Sequence, residues 1–215
     1  MMPQIKCINY RSAEPEDIDN LGLLHLKTFN NSIGASIGLR YSKAFFKWFI
    51  LNEKATTLVC CDSKQIIGYV VGAPEGYSKH LTKSTLLNII FGIFTHPKII
   101  LNKNFFSLSK GRMKNLFNVK SKLHNAPDKY TWNDPQNTTY VLVGIGVDPK
   151  FRGQKIGYQI LKKYENLIWR LNYKKIRLTV YESNLSAINL YKKSDWSIFN
   201  VKDDKMTYFK NYNGD

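Results

Sequence analysis

Residues 148–161 read DPKFRGQKIGYQIL, a basic turn punctuated by Gly153 and Gly157 that runs directly into an amphipathic pattern. Ahead of it, Thr139–Val147 (TYVLVGIGV) is a continuous apolar run of the kind that forms a buried strand. Behind it, Tyr158–Leu171 sets Ile160, Leu161, Tyr164, Ile168 and Leu171 along one side of a helix. A turn from strand to helix gathers backbone N–H groups that have no internal partner, and the helix dipole adds partial positive charge. Gly153 and Gly157 permit positive φ and close ligand approach, and Arg152 and Lys155 add charge. The stretch is therefore a candidate anion cradle. Taken alone, an ordinary Gly-bearing β-to-α turn is the commoner reading. It is neither the G-x-G-x-x-G of a dinucleotide fold nor the G-K-[ST] of a P-loop.

Working outward, the chain alternates strand and helix signals. Gln4–Tyr10 reads as a first strand, and Pro15 with Glu14, Glu16 and Asp17 marks a helix start. Ile18, Leu21, Leu24, His25 and Phe29 follow at helical spacing. NNSIGASIG is a break, Arg40–Leu51 a second apolar helix, and Ala55–Cys61 with Gln65–Val71 a hairpin. Beyond the opening stretch, KKIRLTVYE is a strand and NLSAINLYKK a short helix with Asn184 at its N-cap. WSIFNV and KMTYFK are two last strands. This order predicts one α/β (α+β) domain over residues 1–215, with a mixed central sheet of about six to seven strands flanked by helices. Gly144 and Gly146 weaken regular pairing in their strand and point to a bulge or a close backbone approach.

Residues 76–135 interrupt this order as an insertion before the central strand, read as containing short helices. They hold 9 Lys and 1 Arg against 2 Asp, a balance of +8, and three of the four histidines (His80, His96, His124). The whole chain has 32 Lys and Arg against 16 Asp and Glu, a formal charge of +16, which favours anionic partners without naming one. Cys7, Cys60 and Cys61 make an odd, unspaced set, so neither a disulfide framework nor a metal site is expected and a reducing cytoplasm is the natural setting. Cys60 and Cys61, adjacent in a strand, should face opposite sides of the sheet. MMPQIKCINYR carries no apolar core of a signal peptide, so none is expected.

Two further features give the opening turn a context. Arg152-Gly-Gln-Lys-Ile-Gly157 matches Q/R-x-x-G-x-G/A with Lys155 in place of the central Gly, and about thirty residues on, Asn184 opens a helix with Tyr191 seven residues later. Together these resemble the GNAT acetyltransferase superfamily, closely over Tyr140–Lys210 and in element order only over Ile5–Val71. The resemblance implies acetyl-CoA as cofactor, with its pantetheine arm along Ile145, Gly146 and Val147. It implies a pyrophosphate site on Arg152, Gly153, Gln154, Lys155, Ile156, Gly157 and Tyr158, and Asn184 on the pantetheine amides. It implies Tyr191 as the acid that protonates the departing thiolate. Against the same pattern, Lys155 is expected to take a negative φ or to meet a CoA phosphate. Asp195, where the family commonly has Gly, is expected in the left-handed region.

The family's strand acid is missing from Thr139–Val147. Tyr140, His25, Glu182 and the insertion's histidines are candidate bases, and a neutral amine arriving through water is the alternative; His25 on an apolar helix face reads first as a packed histidine. The resemblance implies transfer to a primary amine of a small molecule, such as a nucleotide-linked or other amino sugar. The competing readings are a protein or peptide N-acetyltransferase, an acyl-CoA-binding module without turnover, and a basic nucleic-acid-binding module. No nucleic-acid motif supports the last, so no nucleic-acid partner is expected. The insertion reads as a lid over the acceptor, as packing on the core, or, through 86–101, as a membrane-surface contact.

Overall fold

The computed structural model describes residues 7–29, 33–95 and 134–212. Its strands are β1 (Ile8–Ser12), β2 (Thr56–Asp62), β3 (Gln65–Pro74), β4 (Tyr140–Val147), β5 (Lys175–Tyr181), β6 (Ser197–Lys202) and β7 (Lys205–Asn211). They form one sheet in the order β1-β2-β3-β4-β5-β7-β6, parallel only between β4 and β5. The helices are α1 (Ile18–Thr28), α2 (Ile33–Ile37), α3 (Leu39–Leu51), α4 (Tyr77–Thr95), α5 (Ile156–Arg170) and α6 (Leu185–Lys193). Seven strands in a mixed sheet agree with the sequence expectation. No helix of the described residues is long and apolar enough to cross a membrane.

β2 and β3 are buried on both faces, and two cores divide the layers. On one face α5 and α6 pack Ile160, Tyr164, Ile168, Ile188 and Tyr191 against Cys60, Tyr140, Leu178 and Tyr208. On the other, α1, α3 and α4 pack Leu21, Leu24, Phe46, Phe49 and Leu81 against Cys61, Tyr69 and Val71. Cys60 and Cys61 thus face opposite layers, as strand alternation requires. A fully buried Leu or Phe stabilises by roughly 1.5–3 kcal/mol, so these two layers carry the fold.

Several local expectations need correction. The first strand begins at Ile8 and runs to Ser12, two residues beyond the sequence reading; residues 4–6 lie outside the described residues. The NNSIGASIG break contains the short helix α2. The insertion opens not with short helices but with α4, one helix of 19 residues. It is apolar on both its packed and its exposed sides, so no stripe of 3.6-residue period marks it. His96, His124 and residues 96–133 lie outside the described residues. The insertion leaves and re-enters the sheet at one rung, since Pro74 and Tyr140 are register partners.

Candidate active site

The site is built from a pair of strands that meet and then part. β4 and β5 are paired only at Tyr140↔Ile176 and Val141↔Arg177, yet β4 continues to Val147 and β5 to Tyr181. On its other edge β4 is fully paired with β3, from Pro74↔Tyr140 to Gly68↔Val147. That register passes from Val71↔Gly144 to Gly72↔Leu142, leaving Val143 as the extra residue of a bulge. The bulge deepens the divergence, and the β5-facing edge of Leu142–Val147 has no strand partner among the described residues. An unpaired edge of this kind receives extended chains by adding a strand.

The glycines of β4 have different reasons. A Cβ on Gly146 would lie 2.7 Å from Cε1 of Tyr69, its register partner. A Cβ on Gly144 would meet only Val71 Cγ2, at 3.6 Å. Gly146 is therefore a close approach, whereas a Cβ at Gly144 would make only an ordinary contact. The Tyr69 ring that covers Gly146 is 1% exposed and its hydroxyl is 2.7 Å from Nδ1 of His25.

At the end of β4, Asp148 Oδ1 accepts from the amide of Lys150 and caps the turn Pro149–Phe151. Asp148 Oδ2 accepts from Lys27 of α1 at 2.6 Å. Burial works to raise the Asp148 pKa, but the Lys27 ammonium and the Lys150 amide outweigh it and hold the carboxyl below its usual range. Arg152 donates to the Val147 and Thr28 carbonyls, both at 3.3 Å, so the turn is tied to the last residues of α1. The sequence reading missed Lys27, Asp148 as a pinning group, and Tyr69. Only the Asp-Pro step gave a local signal for one of them.

Beyond Arg152, Gly153 adopts φ 81° and Lys155 φ 60° with ψ 8°. Lys155 is thus in the left-handed region, which overturns the expectation of a negative φ there. Gly157 lies inside α5 without positive φ, again contrary to expectation, because the helix starts two residues earlier than its polar-apolar pattern suggests. Ile156, 1% exposed, anchors that start in the core. The first closing bond of α5 is from Gln159 N to Lys155 O. The amides of Ile156, Gly157 and Tyr158 therefore donate to nothing among the described residues and point out of the helix end together.

α6 closes the far side. Leu190 Cδ2 and Val147 Cγ2 lie 3.7 and 3.8 Å from where a Cβ of Gly157 would stand, so α6, β4 and the start of α5 converge at that glycine. Asn184 caps α6, its Oδ1 accepting from Ala187 N at 3.2 Å, which leaves its amide N–H groups for another partner. Tyr191 is 5% exposed, packed against Trp196 and Tyr208 with ring centroids 5.8 and 5.9 Å apart. Burial raises its pKa above the ordinary value, and its hydroxyl makes no hydrogen bond among the described residues. Asp195, at φ 62°, takes the left-handed position after α6, as expected. Trp196 then donates to the buried Glu165 of α5 at 2.7 Å, which fixes the end of the helix that carries Tyr191.

The candidate bases divide. The Tyr140 hydroxyl is sealed among Lys54 O, Thr56 Oγ1 and Gly72 O, which removes it from the site. His25 is caged by Phe29, Phe45, Phe46 and Tyr69, and burial lowers its pKa to about 4. Glu182 is exposed at the end of β5.

Residues 126–196, which contain this turn and both helix ends, match the Acetyltransferase (GNAT) family. No curated protein is similar enough in sequence to match. Solved structures share the fold over nearly the full chain. The PaiA N-acetyltransferase of Thermoplasma acidophilum, in complex with coenzyme A, has a TM-score of 0.59 at 12% identity over 96% of this chain and 100% of its own. NAA60 of Arabidopsis thaliana, in complex with acetyl-CoA, has a TM-score of 0.60 at 14% identity over 97% and 100%. The ribosomal-protein-S18-alanine N-acetyltransferase of Escherichia coli has 0.57 at 11% over 95% and 94%. The parted strands, the turn and α6 thus fall within the stretch that matches the Acetyltransferase (GNAT) family, and the fold is shared with these acetyltransferase structures from end to end.

Proposed function

We propose that the chain transfers an acetyl group from acetyl-CoA to a primary amine of a small molecule. The observation that carries this reading is the parting of β4 from β5 after two register pairs, directly before the unpaired amides of Ile156, Gly157 and Tyr158. A phosphate group fits there: the amides and the helix dipole are aimed outward, Gly153 takes a turn a Cβ would strain, and Lys155 and Arg152 are exposed beside them. These residues with Gln154 would hold the pyrophosphate of CoA. The free edge at Ile145, Gly146 and Val147 would pair with the pantetheine arm, and the unused amide of Asn184 would bind it from α6. When bound, acetyl-CoA supplies an activated acyl carbon and a thiolate leaving group.

The chain's own part is positioning and one proton. Free N–H groups on the β5-facing edge of β4 would stabilise charge that develops on an acyl oxygen held beside them. Tyr191, its pKa raised by burial, keeps its proton at neutral pH and delivers it from Oη to the leaving sulfur. With Tyr140 sealed and His25 caged, the acceptor arrives as the neutral amine and loses its second proton to water. The insertion at 76–135, whose α4 packs beside α3 and α2 on the α1 side of the sheet, belongs to the acceptor side as a lid. Three free cysteines suit a cytoplasmic setting.

The test is a thermal shift with acetyl-CoA, followed by release of CoA thiol across a panel of amines. Tyr191→Phe should lower turnover roughly a hundredfold, the low end for a general acid, with CoA affinity unchanged. Wild-type turnover in that variant would remove Tyr191 from the acid role, and no shift with acetyl-CoA would end the reading. Acetylation of peptides but not of small amines would assign the protein to the peptide-modifying class instead.

A further inference from the structure

α4 is packed on one side and open on the other. Leu81, Thr85 and Gly92 are buried, and a Cβ on Gly92 would stand 2.4 Å from Cγ2 of Ile37 in α2. Ile89 packs on Ile37 and Tyr41. On the opposite side Lys83, Leu87, Ile90 and Phe94 recur at helical spacing and form one stripe along the helix. Phe94 is 86% exposed, Leu87 79% and Ile90 56%. Arg40 at the start of α3 lies 4.5 Å over the ring of Phe91, and Trp48 near the end of α3 meets Tyr77 at the start of α4, so the two helices are antiparallel neighbours. Lys47 and the exposed Leu51 line the open groove between them, with Ser84 and Asn88 across it.

The two helices hold Arg40, Lys43, Lys47, Lys79 and Lys83 and no acidic residue. Lys43 is paired with Asp19 of α1 at 3.0 Å, whereas Arg40, Lys47 and Lys83 form no ion pair among the described residues. Three cations thus border the apolar stripe: Lys83 one turn ahead of Leu87, Arg40 on Phe91, and Lys47 across the groove. Single exposed apolar side chains are ordinary on a protein surface, but a contiguous row of Leu, Ile and Phe marks a contact site. Charge decides the occupant. A second copy would bring the same cations and the same formal charge of +16 against this face. An anionic bilayer answers both features, its phosphates meeting the cations and its acyl boundary the apolar row. The 19 residues of α4 rise about 28 Å, and no helix of the described residues is long and apolar enough to cross a membrane, so the fit is along a bilayer surface.

We infer that the outer face of α3 and α4 docks on an anionic lipid surface. Leu87, Ile90 and Phe94 enter the boundary between headgroups and acyl chains, and Arg40, Lys47 and Lys83 sit at the lipid phosphates. The packed side of α4 stays on α2 and α3, so docking requires no unfolding of the helix. The face lies on the α1 side of the sheet, whereas α5 and the turn that precedes it belong to the other layer. The inference therefore stands apart from the acetyl-transfer reading.

The probe is a sucrose-loaded vesicle, of phosphatidylcholine alone or with roughly a third of phosphatidylserine, sedimented with the full chain at low salt. The protein should partition onto the phosphatidylserine vesicles at least about tenfold more strongly than onto phosphatidylcholine. The double change Leu87→Ser with Phe94→Ser should lower that partition at least about tenfold, because binding scales with the apolar area buried. Lys47→Glu with Lys83→Glu should lower it by about as much and remove most of its salt dependence. All four positions are exposed, so unchanged thermal melting is the check on folding. Equal partition onto the two vesicles, or none onto either, would overturn the proposal. Salt-sensitive binding that Leu87→Ser with Phe94→Ser leaves intact would overturn it too, since diffuse charge would then suffice without the stripe. A protein that is dimeric at low salt, becomes monomeric on Phe94→Ser and ignores both vesicles would give the face to a second copy and sink the lipid assignment.

Discussion

Gly146→Ala tests the geometry around the β4 edge most directly. The new Cβ would stand 2.7 Å from Tyr69 Cε1, 2.9 Å from Cζ and 3.0 Å from Oη. The ring cannot swing away, because it is buried, crosses Phe46 edge-on at 5.0 Å and is bonded to His25. Overpacking of this kind costs about 1–3 kcal/mol. Replacing Gly by Ala recovers about 0.4–1 kcal/mol through the unfolded chain, so the net loss is about 1–2 kcal/mol. Gly144→Ala is the internal reference: its Cβ meets one methyl at an ordinary 3.6 Å, and the substitution should stabilise by about 0.5 kcal/mol. For a chain of this size a difference of about 2 kcal/mol corresponds to roughly 4–8 °C in Tm, with Gly144→Ala the higher. Differential scanning calorimetry of the two variants reads this directly, and urea midpoints give the same difference at constant temperature. Equal melting of the two would refute the placement of Tyr69 over Gly146.

Lys155→Gly should stabilise the free protein by about 0.5–1 kcal/mol, since a left-handed non-glycine residue costs about 1–2 kcal/mol and glycine's greater unfolded freedom offsets part of the gain. The same change should raise the Kd for CoA several-fold at low salt; an unchanged Kd by calorimetry would detach Lys155 from the phosphate. His25 has a folded pKa of about 4 against an ordinary value of 6.5, so the unfolded state binds more protons between those values and stability falls as pH drops from 6.5 to 4, by about 3 kcal/mol at most. Asp17 and Asp148, held low in the fold, add their own loss only as the pH falls below the usual carboxylate range, so His25→Gln should flatten the urea-midpoint profile between pH 6.5 and 4.5 and leave the steeper acid limb. Parallel profiles for the two proteins would mean that His25 is not buried neutral.

Much of the architecture is local and therefore legible. Alternation placed Cys60 and Cys61 on opposite faces, the Gly144–Gly146 pair announced the disturbed strand, and Asn184 and Asp195 bracket α6 as their side chains favour. What escaped the sequence is long-range or two-sided. The Tyr69–His25 bond spans 44 residues and Lys27–Asp148 spans 121, and no periodicity encodes either. Tyr140 carried the same letters as a catalytic phenol; only the convergence of Lys54, Thr56 and Gly72 around its hydroxyl shows that it is structural. Lys155 looked like a charge added to a turn, and its left-handed backbone follows from α5 starting at Ile156, where the buried side chain is dictated by the core rather than by its neighbours in sequence.

The rung Pro74↔Tyr140 bears on how such a chain can change. Residues 75–139 depart and return at facing positions of one antiparallel pair, so in connectivity they are an enlarged hairpin loop. Closing a loop whose ends already touch depends on its length only logarithmically, at about 0.6 kcal/mol per doubling. Seven register pairs hold β3 to β4 whatever lies between them. The segment can thus lengthen, shorten or be exchanged while the turn at Arg152–Tyr158 and the edge of β4 keep their places. In such a frame, change is confined to one replaceable stretch, and the strand ladder with the turn behind it is inherited unchanged.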